Sequence, residues 1–439
     1  MNGVPNSSIN RYHQVENATI ENNTFVNVSH IQLAAGSDAE RSAVPKNSVM
    51  NNNLIINQDA KQPFSTFDDV SGLVLSNNIA NTKVLSELEY GVKQQSITLE
   101  KASNGLLYPS SKSVNVGAKR DLKVLKKEDT GVSWYAKVPA IVEFDSGKTH
   151  VVKASASALL NAIDNAQSGD VLELAPGQYD VSKLVEINKT LTIKAKQSGK
   201  SKLTFQRSTL FEIHDGGNLK LEGLLISGEY APDAIDNSIL RTQKWGMLDN
   251  YRFVMTNSKL IALDINHSFH FFVTGKGAMA DEIILTGNSF TNVTGDILRL
   301  NTEIEDLGVY NAEYVTVNNN TFNDVEGSLI KLYRGGTDES TFGPHLEVIN
   351  NTLKNVGFGA RNKAQASIYV HGVQVTNIKE NEFVKSAPIV VEHTVGEPKT
   401  EISNNTFNAT KTPNVKELIV NGPHTAVLKN NNVLNNKAD

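Results

Sequence analysis

Asn319-Asn320-Thr321-Phe322 is one copy of a short motif in which one or two asparagines are followed, directly or after one residue, by an apolar side chain. In two parts of the chain the copies recur at intervals of about 24 to 32 residues, which is the length of one unit in a stacked array. The other copies are Asn22-Asn23-Thr24-Phe25, Asn52-Asn53-Leu54, Asn77-Asn78-Ile79, Asn288-Ser289-Phe290, Asn350-Asn351-Thr352-Leu353, Asn381-Glu382-Phe383, Asn404-Asn405-Thr406-Phe407 and Asn431-Asn432-Val433.

Asparagine suits the corner of a stacked coil for two physical reasons. It tolerates left-handed backbone conformations, and its amide can form a hydrogen bond with the asparagine of the coil above or below. The apolar residue after the corner is expected to point inward, and one coil cannot bury it without neighbouring coils. The pattern therefore predicts an all-β protein that forms a right-handed parallel β-helix. A leucine-rich horseshoe is disfavoured because its Leu-x-x-Leu-x-Leu signature is absent.

Composition excludes several classes of function. The chain has 439 residues, a net charge of -5 and no block of basic residues, so nucleic acid is not an expected partner. No apolar run approaches the length of a membrane span, and residues 1–8 lack the features of a signal peptide. Because there is no cysteine, disulfides and thiolate metal sites are excluded. The ten histidines show no metal-binding spacing, which leaves an oxygen-ligated ion such as calcium.

The repeat predicts three regions. Residues 1–90 are expected to form the last coils of a first β-helix that is truncated at its N-terminus, since no cap precedes them. Residues 91–137 lose the repeat, gather lysine and serine, and predict a linker. Residues 138–439 predict a complete second β-helix. A capping helix is expected near its start, from Ser155 to Ala166, with Leu159 and Ile163 on its apolar face.

Segments near the N-terminus and in the predicted second β-helix carry a family resemblance. They are Gly3-Val4-Pro5-Asn6-Ser7, Asn10-Arg11-Tyr12-His13-Gln14-Val15, Asn23-Thr24-Phe25-Val26-Asn27, Ala35-Gly36-Ser37-Asp38 and Lys331-Leu332-Tyr333-Arg334-Gly335-Gly336. These segments resemble polysaccharide lyase family 6, which includes alginate lyases and chondroitinase B. The chain looks like the C-terminal portion of a two-domain member. The resemblance implies a pectin-lyase-like solenoid that acts on an anionic polysaccharide such as alginate by β-elimination, in a secreted or periplasmic setting.

The resemblance also implies where the chemistry lies. In the family, the calcium ligands, the catalytic lysine and the catalytic arginine precede the segment that occupies residues 5–12 here. They are therefore expected upstream of Met1, together with the calcium cofactor, and this chain is expected to be inactive by itself. The missing N-terminal half, or a second copy of the chain, is an expected partner of the uncapped first coil.

Two groups of residues are candidates for a site in this chain. Asn301, Glu303 and Glu305 resemble the family's calcium-binding segment, with Arg334 about one coil later and Tyr310 at the place of the family lysine. Surface ion pairs are the alternative for these charges. Arg11, Tyr12 and His13 resemble the border of the catalytic groove and are candidates for substrate binding. Trp245 and Tyr251 are weaker candidates for a sugar platform. Lys331 and Tyr333 share a strand face, for which a structural role is predicted.

Three functions remain open at this point. The first is the lyase that the resemblance implies. The second is a non-catalytic β-helix module that binds carbohydrate or braces a partner. The third is another β-helix enzyme, such as a uronan epimerase or a glycosidase, although no acid and nucleophile pair is specified. Fold alone does not separate them.

Overall fold

The computed structural model describes residues 2–5, 13–59, 61–125, 130–131, 141–302, 309–336, 343–420 and 422–435. The chain divides into two compact units, Met1–Ala140 and Ile141–Asp439. Each consists mainly of short parallel strands that pair with the equivalent strands of the next coil. The predicted right-handed parallel β-helix is therefore confirmed. The boundaries predicted at residues 90 and 137 stay a prediction.

The first unit contains three small parallel sheets and one hairpin. Their orders are β1-β4-β7, β2-β5-β8-β9 and β3-β6, and β10 pairs with β11 in antiparallel fashion. After residue 90 the chain still packs on these coils, because Val116 lies against Leu54 and the amide of Gly117 donates to Asn52 O. The strands, with one short 3-10 helix at Ser86–Leu88, are β1 (Thr19–Glu21), β2 (Thr24–Val26), β3 (Ile31–Leu33), β4 (Ser48–Asn51), β5 (Leu54–Ile56), β6 (Phe64–Thr66), β7 (Leu73–Ser76), β8 (Asn78–Ala80), β9 (Val92–Gln94), β10 (Leu99–Lys101) and β11 (Leu107–Pro109).

The second unit has three long parallel sheets that run along its axis. Sheet A contains β12 (Thr149–Val152), β13 (Val171–Leu174), β16 (Thr190–Ala195), β19 (Asn218–Glu222), β22 (Tyr251–Thr256), β25 (Ala280–Thr286), β28 (Ala312–Asn318), β31 (His345–Ile349), β34 (Val375–Lys379), β37 (Lys399–Ser403) and β40 (Thr425–Lys429). Sheet B contains β14 (Gly177–Val181), β17 (Ser201–Phe205), β20 (Leu225–Ser227), β23 (Lys259–Ile261), β26 (Ser289–Val293), β29 (Thr321–Val325), β32 (Thr352–Val356), β35 (Glu382–Val384), β38 (Thr406–Asn408) and β41 (Asn432–Leu434). Sheet C contains β15 (Val185–Ile187), β18 (Thr209–Ile213), β21 (Ser238–Thr242), β24 (His270–Val273), β27 (Leu298–Leu300), β30 (Ile330–Tyr333), β33 (Ile368–His371), β36 (Ile389–His393) and β39 (Asn414–Glu417).

A ladder of buried asparagines forms the corner between sheets A and B. Asn320 is 2% exposed, and its amide donates to Asn351 Oδ1 at 3.0 Å and to Leu285 O at 2.9 Å. Its own Oδ1 accepts from the backbone N–H of Asn288 at 2.8 Å. The same pattern continues from Asn351 to Asn381, Asn405 and Asn431, and a shorter ladder joins Asn23, Asn53 and Asn78. The predicted asparagine contact between coils is confirmed.

The residue before each buried asparagine adopts the left-handed conformation that the motif predicts. Asn319, Asn350 and Asn404 have φ values of 59°, 55° and 57°. Two residues after the buried asparagine an apolar side chain enters the core, where the rings of Phe290 and Phe322 stack at 5.1 Å. Asparagine adopts left-handed backbone conformations at low cost in free energy. The turn at the corner and the apolar contact in the core are therefore both specified within one short motif.

The first complete coils of the second unit are covered by helix α1 (Ala156–Asn165). The hydroxyl of Ser155 caps it by accepting a hydrogen bond from Ala158 N at 3.1 Å. Leu159 and Ile163 are buried against the start of the solenoid, as the apolar face predicts. The preceding strand β12 was not predicted, and it adds one more strand to sheet A. In the described residues, no helix is long and apolar enough to cross a membrane.

The asparagine ladder generates a stability prediction. Replacement Asn320→Ala leaves the backbone groups of Asn288 and Leu285 buried without their partners, and we expect a loss of about 3 kcal/mol in the free energy of unfolding. Denaturant unfolding followed by circular dichroism measures it. The control Asn377→Ala lies half-buried on β34 and should cost well under 1 kcal/mol. Equal losses for the two variants would contradict the proposed role of the ladder.

Candidate functional site

A groove of about 1100 Å³ lies along the outer face of sheet C in the second unit. Side chains alternate along β27, so Leu298 and Leu300 are buried while Arg299 points outward. Strand pairing then places Arg299, Lys331 and Tyr369 at equivalent positions on three successive coils. The regular pitch of the solenoid thus produces a column of polar side chains on the floor of the groove.

One long turn forms a wall of the groove. The turns between sheets B and C comprise four residues at 294–297, 326–329 and 385–388, but the turn between β32 and β33 comprises eleven, 357–367. Asn362 within this turn is 3% exposed, and its amide donates to Gly357 O at 2.8 Å and to Ala366 O at 2.9 Å. The 357–367 turn is therefore braced from inside by a buried amide.

The charged groups of the groove differ in how they are paired. Lys331 contacts Asp296 at 2.8 Å, and Asp296 is 5% exposed and also accepts from Ser328 N at 2.9 Å. In contrast, Arg361 and Lys363 on the 357–367 turn are exposed, and no ion pair joins them to the other described residues. The cations lining the groove are Arg299, Lys331, Arg361, Lys363 and Lys416, and the carboxylates are Asp236, Asp296, Glu326 and Glu392.

Glu392 is the centre of a hydrogen-bond network at one end of the groove. It accepts from Tyr369 Oη at 2.8 Å, from His371 Nδ1 at 2.9 Å and from Lys416 Nζ at 3.0 Å. Burial alone would raise the pKa of Glu392, but the hydrogen bonds from His371, Lys416 and Tyr369 lower it to about 2. Burial, and then the bond to Glu392, raises the pKa of the Tyr369 hydroxyl, so it stays a donor at neutral pH.

His270 lies on the groove floor in a defined tautomer. Its Nδ1 accepts a hydrogen bond from Asp296 N at 2.8 Å, so in the neutral ring Nε2 carries the proton. Nε2 lies 3.6 Å from Asp236 Oδ1 and 3.3 Å from Arg299 Nη1. The ring therefore serves as a donor toward the groove.

Comparisons with known proteins agree with this architecture. The family model for chondroitinase B matches residues 1–122. The solved structure of the PL6 family alginate lyase AlyGC matches with a TM-score of 0.80 and 48% sequence identity, covering 99% of this chain and 60% of that chain. A mutant of AlyGC with one arginine replaced by alanine matches with a TM-score of 0.81 at the same identity and coverage.

The chain belongs to polysaccharide lyase family 6. It spans 60% of the length of the family 6 structures that it matches. A search of curated proteins gave no match. The resemblance predicted from the sequence is thereby confirmed at the level of the family, and parallel β-helix coils are the architecture of both units.

The structure places only some of the predicted site residues. Asn301 is half-buried and lines the groove of this family 6 chain. His13 is exposed, with Nδ1 3.0 Å from Gln14 O. Arg11, Tyr12, Glu303 and Glu305 lie outside the described residues. The substrate role predicted for residues 11–13 stays a prediction.

Tyr310 and Arg334 are neighbours, joined by an isolated β-bridge. Arg334 is fully buried, and Tyr310 is 9% exposed with its hydroxyl donating to Glu313 Oε2 at 2.6 Å. Burial, followed by that hydrogen bond, raises the pKa of Tyr310, which keeps the phenol protonated. Neither side chain faces the groove described above, and their catalytic role stays a prediction.

The described groove residues do not fit a calcium ion. Calcium takes six to eight oxygen ligands. Of the three predicted ligands only Asn301 is described, and it offers one amide oxygen. Asp296 and Glu392 are already bound by Lys331 and Lys416 respectively. Calcium binding by Asn301, Glu303 and Glu305 therefore stays a prediction.

Several groove residues were not predicted as a site from sequence. The sequence pattern predicts a structural role for Lys331 and does not distinguish Arg299, Asn362 or Lys363 from other surface residues. The motif spacing gave no signal, because Asn351 and Asn381, which flank the 357–367 turn, are no further apart in sequence than Asn320 and Asn351. Of the two aromatic candidates, Trp245 is 60% exposed, whereas Tyr251 is fully buried against Phe272 and cannot bind a sugar.

The Glu392 network generates a pH prediction. Because folding lowers the pKa of Glu392 from 4.5 to about 2, its stabilising contribution is present above about pH 4.5 and is lost as the pH falls toward 2. We expect the midpoint of thermal unfolding to fall over this range, and to fall less in Glu392→Gln. The exposed Glu382→Gln serves as the control and should retain the full decrease. An identical decrease in Glu392→Gln and the parent would contradict the assignment.

Proposed function

We propose that this protein serves in the breakdown of a uronate-containing anionic polysaccharide, with alginate as the first candidate, and that the groove of its second unit binds the polymer. The family supports a polysaccharide substrate, and AlyGC is an alginate lyase by its description. The observation that carries the binding role is the pair of exposed cations, Arg361 and Lys363, on a turn that Asn362 braces from inside.

The groove offers two kinds of contact for a uronate chain. The guanidinium of Arg361 and the ammonium of Lys363 can form charge-assisted hydrogen bonds with sugar carboxylates. Phe358, on the same turn, is 60% exposed and lines an adjoining depression of about 550 Å³. An aromatic face of this kind can pack against a sugar ring. Binding to the exposed side chains of the 357–367 turn requires no rearrangement of the paired charges on the groove floor.

The described groove residues are suited to binding rather than to cleavage. β-Elimination requires a base that removes the proton from C5 of the uronate while the carboxylate charge is neutralised. Lys331 is engaged with Asp296, and Tyr369 donates to Glu392. In neutral His270 the proton is on Nε2, 3.6 Å from Asp236 Oδ1. None of these three groups is an unprotonated base directed at the groove, so we assign to this chain a binding role within lyase action.

The setting follows from the proposed substrate. Anionic polysaccharides of this class lie outside the cytoplasm, and we propose an extracellular or periplasmic location. The outer face of sheet C in the second unit would hold the polymer, because successive coils repeat the same surface.

The binding role predicts a charge-specific loss of affinity. We expect the double variant Arg361→Ala/Lys363→Ala to bind alginate oligosaccharides about tenfold more weakly, because two exposed ionic contacts together contribute about 1.4 kcal/mol. Isothermal titration calorimetry at low salt measures the affinity.

The matched control for that experiment is Lys196→Ala/Lys200→Ala, which removes two exposed lysines from a turn elsewhere in the second unit. Its affinity should equal that of the parent, and a neutral dextran should not bind. Equal weakening in both double variants would indicate general charge attraction and would contradict a defined groove.

The assignment also predicts the catalytic outcome. The purified chain mixed with alginate should release no unsaturated uronate ends, measured by their ultraviolet absorbance, because Lys331, Tyr369 and His270 on the groove floor are all engaged by neighbouring residues. Release of unsaturated ends that is abolished in Lys331→Ala would show that the groove cleaves and would contradict the binding role.

A further inference from the structure

Three side chains converge near the C-terminal end of the second unit, apart from the groove lining. His393 is the last residue of β36, Glu417 is the last residue of β39, and His424 directly precedes β40. His393 Nδ1 lies 2.8 Å from Glu417 Oε1, and His424 Nδ1 lies 2.5 Å from Glu417 Oε2. The three ligand atoms all lie within 4.8 Å of one another. Two imidazoles therefore approach the two oxygens of one carboxylate.

The cluster is enclosed on the side of the histidines and open at the carboxylate. The side chains of His393 and His424 are 0% and 4% exposed, whereas that of Glu417 is 41% exposed. The two rings meet edge to face, with centroids 5.7 Å apart. An ion could thus enter from solvent past the carboxylate while the imidazoles remain held by the fold.

The donor set is one that zinc uses. Two imidazole nitrogens and one carboxylate oxygen, with a water in the fourth position, form a common tetrahedral zinc site. Donors about 2.0–2.2 Å from zinc are separated by about 3.4 Å in that geometry, so the carboxylate has to move slightly away from the imidazoles to admit the ion. The exposure of Glu417 allows this movement.

The far side of each ring supplies a second observation. His393 Nε2 lies 2.8 Å from Thr400 Oγ1, a contact of the kind that orients metal-binding histidines. When Nε2 donates to Thr400, Nδ1 carries a lone pair that faces the negatively charged carboxylate of Glu417. A cation between Nδ1 and the carboxylate would remove this repulsion. His424 Nε2 is buried and has no hydrogen-bond partner among the described residues. The contacts with Glu417 therefore leave one polar atom of the cluster, His424 Nε2, without a hydrogen-bond partner among the described residues.

We propose that His393, Glu417 and His424 bind a divalent transition metal ion of the zinc class. The ion connects β36, β39 and the start of β40, which belong to the last coils of the second unit. The strands β40 and β41 are exposed along their whole length, since no further coil of the described residues covers them. A bound ion would stabilise this end of the solenoid, and the site is independent of the polysaccharide groove.

The test uses the full chain without a histidine tag, after treatment with a chelator. Titration with Co2+ should give the visible absorption of tetrahedral cobalt at one ion per chain, and Zn2+ should displace it. Glu417→Gln and His424→Gln should abolish the signal. Thr400→Val, which removes only the orienting hydroxyl, should weaken Co2+ binding about tenfold. His150→Gln, whose ring pairs with Asp170 near the other end of the unit, is the control and should bind as the parent does.

Each outcome decides the proposal. Absence of cobalt absorption in the parent would mean that the three side chains form a hydrogen-bonded group only, and the proposal would be wrong. It would also be wrong if Glu417→Gln or His424→Gln bound Co2+ like the parent. Circular dichroism establishes that each variant is folded, and Glu417→Gln is the most informative because its side chain lies at the surface. Alginate binding by His424→Gln should be unchanged, which separates this site from the proposed groove.

Discussion

The stacking of coils in register is the constraint on which the rest of this structure depends. A buried asparagine amide satisfies backbone groups of its own coil and its neighbours, as Asn320 does for Leu285 and Asn288. A register shift by one residue would bury the outward side chains and expose the core. It would also leave several amide and carbonyl groups without partners in a medium where each costs about 1–3 kcal/mol. Register is therefore fixed at every coil of the ladder.

The surface proposed to bind polysaccharide follows from that regularity and from departures from it in the turns between sheets B and C. The repeated register sets Arg299, Lys331 and Tyr369 in a column, but a column on a flat sheet is not a groove. The 357–367 turn supplies one wall, and buried Asn362 makes it a defined structure. The charges on the groove floor are largely paired, as Lys331 is with Asp296. Attraction for a polyanion therefore depends mainly on the exposed cations Arg361 and Lys363.

The two ends of the second unit differ in how their apolar side chains are covered. At the start, α1 covers the first coils with Leu159 and Ile163. At the other end, the apolar side chains of the last coil remain exposed, including Leu428 and Val433. A metal ion held by His393, Glu417 and His424 would tie the chain together at this end, where hydrophobic burial cannot contribute much. The terminal coils of a solenoid require stabilisation, and the proposed metal site would supply it here.

The asparagine repeat was sufficient to predict the coils, the left-handed corners and the inward stacking of residues such as Phe322. The apolar spacing of Leu159 and Ile163 predicted the helix that begins after Ser155. These features depend on neighbours in sequence or on one repeat period, so a single chain displays them. The groove and the metal cluster could not be predicted in this way. His393 and Glu417 meet because β36 pairs with β39, and Arg361 reaches the groove because Asn362 folds its turn back. Such contacts join residues whose separation varies from coil to coil, and only the packed coils bring them together.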